Sequence, residues 1–299
     1  PQAQQQAADL VFVQAVARKR LNMARQTTLI SGTTHGIGLE TTRAMAQAGC
    51  QVLMACRNLK RAELVKDHLI RTTGNPDIHI IPLDLSSQRS VRECAARVLD
   101  ATDALHLLVN NAGMMSARPA RSEDGIELTF ATNHLGPFLL TELLLDLLVA
   151  SAPARIVNVA SAVHFRGKPD FGQDEARYRG MRVYARSKLA NVTYTLDLAG
   201  RLAGTGVTAN CLHPGVVATN IIPDNSPLLR RAGKLVKRFM MTPERGASTS
   251  IYLALSPEAD GVTGKYLDEN QRIVEPSPAA GEPATQQALR ALSTRLTGL

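Results

Sequence analysis

The sequence predicts an α/β fold in one domain: a single doubly wound parallel β-sheet with helices on both faces. Short apolar segments of strand length alternate with amphipathic segments of helix length from residue 27 onward, and this alternation is typical of parallel sheets joined by crossover helices. The strand segments are mostly apolar, as expected of strands that are covered on both faces. They are Thr28–Ser31, Gln51–Cys56, Ile78–Leu83, Leu105–Asn110, Arg155–Ala160 and Val207–Leu212.

Stretches with helical periodicity separate the candidate strands and supply the crossover connections that parallel strands need. A further short helix is predicted near the end of the chain, at about Thr285–Leu296. The crossover helices are Ile37–Ala48, Ala62–Arg71, Ser87–Leu99, Gly125–Val149 and Tyr184–Ala203.

Two segments interrupt this rhythm, at residues 164–182 and at about residues 220–242. Both follow the carboxyl ends of strands, where open α/β sheets bind their ligands. The second segment mixes basic residues with Leu and Met, and we interpret it as a loop or lid over a substrate.

Residues 1–26 precede the first strand as an N-terminal extension that we predict to be helical. An apolar run over residues 7–17 is followed by Arg18, Lys19 and Arg20, whereas a signal peptide carries its positive charge before the apolar run. We expect this segment to pack on the domain. Peripheral attachment to a membrane surface is the alternative interpretation, because the segment mixes basic and apolar residues.

The composition bounds the function classes. With 44% hydrophobic and 20% charged residues among 299, the chain has enough apolar material for a large core, which excludes a wholly disordered protein. The net charge of +8 suits an anionic partner of any kind. Nucleic acid is not expected as a partner, because the basic residues lie in separate loops and no nucleic-acid-binding motif occurs.

The four cysteines, Cys50, Cys56, Cys94 and Cys211, have spacings that fit neither a zinc site nor a disulfide framework. We therefore expect reduced, mostly buried thiols, no bound metal and a cytoplasmic location. No run of about 18 or more apolar residues occurs, so a membrane-spanning helix is not expected.

A glycine-rich segment, Ser31-Gly32-Thr33-Thr34-His35-Gly36-Ile37-Gly38, follows the first strand and opens the first helix. Glycines at these points let the backbone turn sharply and let a pyrophosphate approach without a Cβ in the way. Free backbone N–H groups and the positive end of the helix then face the anion. The segment predicts a dinucleotide-binding loop.

The spacing G-x-x-x-G-x-G resembles that of the short-chain dehydrogenase/reductase family, and further family motifs follow in order. Asn110-Asn111-Ala112-Gly113 ends the fourth strand, and Tyr184-x-x-x-Lys188 lies in a predicted helix. The match covers nearly all of the chain from residue 27. It implies a Rossmann-like fold and one dinucleotide-binding catalytic domain over residues 27–299.

Within this family the chain looks most similar to the retinol-dehydrogenase-like subgroup. Several short segments carry that likeness. They are Ala55-Cys56-Arg57, Asp124-Gly125, Asn133-His134-Leu135-Gly136, Ser187-Lys188-Leu189-Ala190-Asn191, His213-Pro214-Gly215 and Pro276-Ser277-Pro278.

The end of the second strand indicates NADP(H) rather than NAD(H). Sheets selective for NAD place an acidic residue there to bind the ribose hydroxyls, but this chain has Cys56 followed by Arg57. A guanidinium group can bind a 2′-phosphate through two hydrogen bonds, and His35 offers a second donor. Solvent exposure of Arg57, or stacking on adenine, is the alternative.

The resemblance extends the expected cofactor contacts along the sheet edge. In the family, the residue matched by Asp84 holds the adenine amino group, and the segment matched by Pro214 to Thr219 flanks the carboxamide. The full expected set is Gly32, Thr34, His35, Gly36, Ile37, Gly38, Arg57, Asn58, Asp84, Leu85, Asn111, Ala112, Gly113, Tyr184, Lys188, Pro214, Gly215, Val217 and Thr219.

Tyr184 and Lys188 lie four residues apart and therefore on one helix face. A free phenol has a pKa of about 10, but a nearby ammonium group and the positive nicotinamide ring of the oxidised cofactor favour the phenolate. Moving the pKa to about 7 would take roughly 4 kcal/mol of differential interaction. We therefore expect Lys188 to lower the pKa of Tyr184.

The resemblance implies a catalytic set of Asn133, Ser161, Tyr184 and Lys188. Tyr184 would exchange a proton with the substrate oxygen, Ser161 would hold that oxygen, and Lys188 would also bind the nicotinamide ribose. Asn133 would hold a water that relays protons through Lys188. A mid-helix Asn with a Pro four residues later is unfavourable in a helix, and such local violations are expected at functional positions.

The substrate pocket is expected to be lined by Met114, Met115, Ser161, His164 and Phe165, together with residues 220–241. The apolar content of this set suggests a lipophilic or polycyclic carbonyl or alcohol. The expected enzyme is an NADP-dependent oxidoreductase, and a secondary-metabolite ketoreductase is one form of it.

Two questions stay open at this level. A protein that senses NADP(H) without turning over a substrate would share the cofactor motifs, although the intact four-residue set favours an enzyme. The resemblance also implies a dimer surface on helices Gly125–Val149 and Tyr184–Ala203, so a homodimer is one expectation, whereas the N-terminal segment could cover a surface. A small molecule is the expected partner in either case.

Overall fold

The computed structural model describes residues 26–172, 178–217 and 241–299. These residues form one eight-stranded sheet with the strand order β3-β2-β1-β4-β5-β6-β7-β8. Neighbouring strands from β1 to β7 are parallel, and β8 is antiparallel to β7. The strands are β1 (Thr27–Ser31), β2 (Gln51–Cys56), β3 (Ile78–Pro82), β4 (Leu107–Asn110), β5 (Ala154–Val159), β6 (Val207–Leu212), β7 (Tyr266–Leu267) and β8 (Ile273–Val274).

Helices cover both faces of this sheet, which confirms the predicted fold class. Two short 3-10 helices, Ala162–Arg166 and Pro257–Ala259, follow β5 and the eighth α-helix. The α-helices are α1 (Gly36–Gln47), α2 (Leu59–Thr73), α3 (Gln88–Ala101), α4 (Leu128–Phe130), α5 (Gly136–Leu143), α6 (Leu145–Ala150), α7 (Gly180–Arg201), α8 (Pro243–Leu255), α9 (Pro278–Gly281) and α10 (Pro283–Thr297).

Adjacent residues of each inner strand contribute to opposite hydrophobic layers, as the alternation of side chains along a strand requires. Leu29 packs in the layer that contains Phe130 and Leu189, whereas Ile30 packs in the layer that contains Met45. All five of these side chains are fully buried. The six predicted strands begin and end within two residues of the observed ones, because strands covered on both faces are rich in apolar residues.

One predicted helix is wrong. The segment Gly125–Val149 is not continuous: α4 leads into a π-helical turn at Ala131–Leu135, and α5 and α6 follow. Gly136, where α5 begins, lies against the carbonyl oxygen of Leu85, which would be only 2.3 Å from a Cβ at that position. This backbone contact leaves no room for a side chain where the helix resumes.

Four of the strands and α-helices were not predicted, namely α8, α9, β7 and β8. The two strands have only two residues each, and they are held by pairing with β6 and with each other. Because β8 runs antiparallel to β7, the sheet is parallel except at this edge.

Two predicted segments lie largely outside the described residues. These are the N-terminal extension, of which only residue 26 is described, and the substrate lid, of which only residues 241 and 242 are described. Within the described ranges, none of the helices combines the length and the apolar character needed to cross a membrane.

We predict that Gly136→Ala lowers the free energy of unfolding by about 1–3 kcal/mol, as overpacking in a buried region typically does. The cause is the 2.3 Å approach of the new Cβ to the carbonyl oxygen of Leu85. Urea unfolding followed by circular dichroism measures the change. Gly200→Ala in α7 is the matched control, because nothing lies within 4 Å of its Cβ position, and it should stabilise the helix slightly. Equal behaviour of the two variants would contradict the prediction.

Candidate active site

The glycine-rich segment forms a tight loop at the carboxyl end of β1. Gly32 and Gly36 have positive φ angles of 74° and 60°, which glycine adopts without strain. A Cβ on Gly38 would lie 2.2 Å from the carbonyl oxygen of Gly32. The first turn of α1 contains no acidic residue, and the side chain of His35 makes no capping hydrogen bond there. The amino end of α1 is therefore built to receive an anion.

Hydrogen bonds between the end of β1 and the residues that follow β4 hold this loop in place. Asn111 Nδ2 donates to the carbonyl oxygen of Ser31 at 2.8 Å, and Ser31 Oγ accepts from the backbone N–H groups of Asn111 and Ala112 at 3.0 and 3.1 Å. The predicted cofactor residues Asn111 and Ala112 thus lie beside Gly32. The side chain of Asn111 supports the loop and is committed to that role.

Two arginines stand near the glycine loop. The side chain of Arg57 is 77% exposed, and its Nη1 lies 3.8 Å from Asp84 Oδ2. Arg61 Nε donates to the carbonyl oxygen of Thr34 at 3.1 Å. Sequence reasoning missed Arg61, although a second arginine four residues after Arg57 was a signal that could have found it.

Three other predicted cofactor residues have structural roles in this region. Asn58 Oδ1 accepts from the backbone N–H of Arg61 at 3.0 Å and so caps α2. Asp84 Oδ1 accepts from the backbone N–H and the hydroxyl group of Ser86. Leu85 is buried, with its carbonyl oxygen facing Gly136. The second carboxylate oxygen of Asp84 is the one that faces Arg57.

Tyr184 and Lys188 lie on the buried side of α7, which begins at Gly180 and therefore one turn earlier than predicted. The Nζ atom of Lys188 lies 5.7 Å from the centre of the Tyr184 ring and donates to the carbonyl oxygen of Val159 at 2.8 Å. Tyr184 also forms a hydrogen bond with Ser161, which follows β5. Helix and strand together place these predicted catalytic groups in one cluster.

Burial governs the protonation of this cluster. It raises the pKa of Tyr184 above its ordinary value, and the hydrogen bond with Ser161 opposes that rise. It also lowers the pKa of Lys188 to about 8. In the chain by itself the pKa of Tyr184 is therefore raised rather than lowered, because desolvation of the phenolate is the largest effect.

Asn133 occupies the middle of the π-helical turn and is 1% exposed. Its amide group accepts from Met114 N at 2.8 Å and donates to Met114 O at 2.8 Å and to Ser187 Oγ at 3.0 Å. A Cβ on Gly113 would be 3.4 Å from both Asn133 Oδ1 and Lys188 Nζ. The fourth predicted catalytic residue thus lies beside Lys188, across the backbone of Gly113.

The predicted substrate residues do not all line the cleft. His164 is fully buried: its Nδ1 donates to the carbonyl oxygen of Ser161 at 2.9 Å, and its Nε2 accepts from Ser277 N at 3.0 Å. Assigning His164 to the substrate pocket is therefore wrong, since the ring is fully buried and its two nitrogens are bonded to Ser161 and to Ser277 of the C-terminal part of the chain. Phe165 is 54% exposed and stacks on His164. Met114 lies beside Asn133, and Met115 is half-buried.

The segment after β6 closes the other side of the cluster. Gly215 has a φ of 74°, and a Cβ there would lie 2.5 Å from Met241 Sδ. Val217 packs with Ile37 of α1 and Ala247 of α8, so it lies beside the end of the glycine loop, and the cofactor contacts expected of Pro214, Gly215 and Val217 stay predictions. Thr219 lies outside the described residues.

The assembled cluster offers a phenol and a hydroxyl group beside a buried amine, at the sheet edge that carries the glycine loop. A phenol can exchange a proton with a carbonyl or alcohol oxygen, and a hydroxyl group can hold that oxygen. No group of three or more metal-ligating side chains occurs within residues 26–172, 178–217 and 241–299.

Comparisons with known proteins agree with this geometry. A family model described as short chain dehydrogenase matches residues 26–227. Retinol dehydrogenase 12 of Homo sapiens is 39% identical over 290 residues, which cover 96% of this chain and 91% of the relative.

Two solved structures extend the likeness to the fold. An uncharacterized protein from Mycobacterium paratuberculosis has a TM-score of 0.73 and 31% identity, with 92% of this chain and 94% of that chain covered. A short chain dehydrogenase from Burkholderia cenocepacia in complex with NADP has a TM-score of 0.66 and 25% identity, with 81% of this chain and 95% of that chain covered.

We predict that the effect of Lys188→Met on stability depends on pH. Burial lowers the pKa of Lys188 from 10.5 to about 8, so below pH 8 the native state bears the full cost of the buried charge. Between about pH 8 and pH 10.5 the native amine loses its proton before the unfolded one does, which stabilises the wild type. The wild type should therefore gain about 3 kcal/mol over Lys188→Met across this range.

Urea unfolding of both proteins at about pH 7.5 and about pH 10 measures this difference. The exposed Lys60 supplies the control, because Lys60→Met should shift stability equally at the two pH values. If the difference in unfolding free energy between wild type and Lys188→Met does not change with pH, the pKa of Lys188 is not lowered by burial.

Proposed function

The chain belongs to the short-chain dehydrogenase family and is an oxidoreductase of the retinol-dehydrogenase-like kind, and on this premise we propose that it interconverts a lipophilic carbonyl and its alcohol with NADP(H). The observation that carries the proposal is the convergence of Asn133, Ser161, Tyr184 and Lys188 beside the glycine loop. These groups come from three different parts of the chain, the π-helical turn, the end of β5 and α7, and their meeting supplies both an acid–base pair and a place for the substrate oxygen.

The residues around the glycine loop fit a dinucleotide. Gly32 and Gly36 turn the backbone with positive φ angles, Gly38 lets α1 pack directly against the carbonyl oxygen of Gly32, and the first turn of α1 has no acidic residue. Gly32, Gly36 and Gly38 would hold the pyrophosphate, and Gly113 would leave room for the ribose. When bound, NADP(H) supplies or accepts the hydride. The Burkholderia cenocepacia neighbour was solved with NADP.

Arg57 and Arg61 support the choice of NADP(H) over NAD(H). Arg57 is exposed at the end of β2, where an NAD-selective sheet has an acid. Arg61 is held at the glycine loop by its hydrogen bond to Thr34. A 2′-phosphate between these two guanidinium groups would receive charge-assisted hydrogen bonds, and Arg57 would exchange its distant carboxylate partner, Asp84, for the phosphate.

The chain's own groups account for the proton transfer. In the reducing direction Tyr184 donates its proton to the substrate oxygen, and Ser161, hydrogen-bonded to Tyr184, holds that oxygen in place. The positive charge of Lys188 stabilises the resulting phenolate against the desolvation that otherwise raises the pKa of Tyr184. Asn133, fixed by three hydrogen bonds, holds the relay position next to Lys188.

Three methionines close to the catalytic residues in sequence, together with the relative, support the proposed substrate class. Met114 and Met115 follow the Asn-Asn-Ala-Gly segment, and Met181 lies one turn before Tyr184 on α7 and is 50% exposed. Flexible thioether side chains favour an apolar substrate of irregular shape. The human relative is named for retinol, so we propose a lipophilic aldehyde or ketone and its alcohol, a class that includes polycyclic ketones.

We predict that Tyr184→Phe lowers kcat by about 10²–10⁴-fold, the usual contribution of a general acid, and leaves NADPH binding unchanged within about twofold. A panel of lipophilic aldehydes and ketones, followed by loss of NADPH absorbance, measures turnover, and fluorescence titration measures binding. Tyr252→Phe is the matched control and should behave as the wild type. If the wild type itself binds NADPH but turns over no member of the panel, the chain is a sensor of NADP(H) and the enzyme proposal fails.

We predict that Arg57→Ala and Arg61→Ala each raise the KM for NADPH by about 10–100-fold, because each removes a charge-assisted hydrogen bond worth about 1.5–3 kcal/mol. The KM for NADH should change by less than about twofold, because NADH has no 2′-phosphate. Steady-state kinetics with both cofactors measure the ratio, and Lys60→Ala, which removes a neighbouring exposed cation, is the control. Equal losses with NADPH and NADH would show that the arginines do not read the 2′-phosphate.

A further inference from the structure

The C-terminal helix α10 reaches the π-helical turn through one buried hydrogen bond. His134 Nε2 and Ser293 Oγ are 2.8 Å apart, and the two residues are 1% and 0% exposed. Burial lowers the pKa of His134 to about 3, so the ring stays neutral at physiological pH. A neutral imidazole and a hydroxyl group form a hydrogen bond whose strength does not vary across the working pH range.

Aromatic side chains hold the His134 ring in place. Its centre lies 5.1 Å from that of Phe130 and 6.1 Å from those of Phe138 and Tyr194. These rings surround the imidazole, and loss of Ser293 Oγ would leave Nε2 without its hydrogen bond in an apolar environment. An unsatisfied buried polar group is costly, so the turn would shift to relieve it.

His134 and Asn133 are adjacent residues of the same turn and contact different parts of the protein. Asn133 contacts Met114 and Ser187, and Ser187 Oγ in turn donates to the carbonyl oxygen of Tyr184 at 2.8 Å. Any rotation of the turn that follows from movement of His134 must also move the amide of Asn133. The turn therefore connects α10 to the catalytic helix.

Helix α10 is itself held at three further points. Two side chains of α3 donate to backbone carbonyl oxygens of α10: Arg92 to that of Thr297 at 2.6 Å, and Gln88 to that of Leu296 at 2.9 Å. Arg290 pairs with Asp197 of α7 at 3.0 Å. These contacts fix α10 relative to α3 and α7, which makes Ser293 a fixed reference for the turn.

We propose that Ser293 is a positioning residue of the active site: its hydrogen bond to His134 sets the π-helical turn that presents Asn133 beside Lys188. The proposal rests on the proposed function only for its kinetic consequence. A displacement of about 1 Å far from the reacting atoms can cost about 10²-fold in rate, so the C-terminal helix determines kcat without touching substrate or cofactor.

The test compares two losses of a buried hydroxyl group from the same helix. Ser293→Ala removes the partner of His134. Thr297→Ala is the matched control, because Thr297 is 2% exposed and its hydroxyl donates only to backbone carbonyl groups within α10. The proposal expects Ser293→Ala to lower kcat by about 10–100-fold with the NADPH dissociation constant unchanged within about twofold. Thr297→Ala should lose thermal stability to a similar degree and keep kcat within about twofold.

Hydrogen exchange gives a readout that needs no turnover. The backbone N–H of Met114 is bonded to Asn133 Oδ1, and that of Gly136 closes the π-helical turn onto Ala131 O. Both amides should exchange faster in Ser293→Ala than in the wild type and remain unchanged in Thr297→Ala. This readout does not depend on turnover. If the wild type reduces no carbonyl, the proposed function fails, but faster exchange in Ser293→Ala would still support the link between Ser293 and the π-helical turn.

A second pair of variants keeps the test decisive if Ser293→Ala does not fold. Ser293→Cys preserves the volume with a weaker hydrogen bond and should give the same changes in smaller measure. In a His134→Phe background, which keeps the aromatic contacts, Ser293→Ala should have no further effect on kcat or on exchange at Met114. Unchanged kcat and exchange in the Ser293 variants, or additive losses in the double variant, would overturn the proposal.

Discussion

The site depends on one buried positive charge. The ammonium group of Lys188 is removed from water, and its described hydrogen-bond partner is the carbonyl oxygen of Val159. Such burial is costly, and its consequence is an amine whose pKa falls to about 8, close to working pH. The polar groups near this charge follow β4 and end β5, and they reach Lys188 only when the sheet and α7 are packed together. The fold and the acid–base chemistry are therefore two results of the same packing.

Sequence reasoning succeeded where structure is locally encoded. Strands β1 to β6 are short runs of mostly apolar residues that alternate with helical segments. Tyr184 and Lys188 share a helix face at any helix start, so a misplaced boundary at Gly180 did not affect their pairing. The strands β7 and β8 could not be found in this way. Two residues carry no periodicity, and β7 is a strand only through its pairing with β6 and β8.

The errors at the site all concern properties that arise from tertiary packing. His164 was assigned to substrate from its place in a loop, but its environment is set by Ser277, which is 113 residues away in sequence. The protonation of Tyr184 follows from how much water the folded cleft excludes, which its distance from Lys188 in sequence does not encode. Arg61 was missed because α2 begins at Leu59 and so places this side chain against Thr34.

The π-helical turn shows why local irregularity and function coincide in this chain. Asn133 faces the catalytic cluster, His134 faces α10, and Gly136 faces the carbonyl oxygen of Leu85. Each contact is made with a different element. The i→i+5 hydrogen bond of a π-helical turn makes room for one more residue than an α-helical turn holds. The contacts that Asn133 and His134 make with neighbouring elements thus stabilise the turn that contains them. Its shape and the geometry of the site cannot be altered separately, which is why a single uninterrupted helix over this segment would be incompatible with the chemistry.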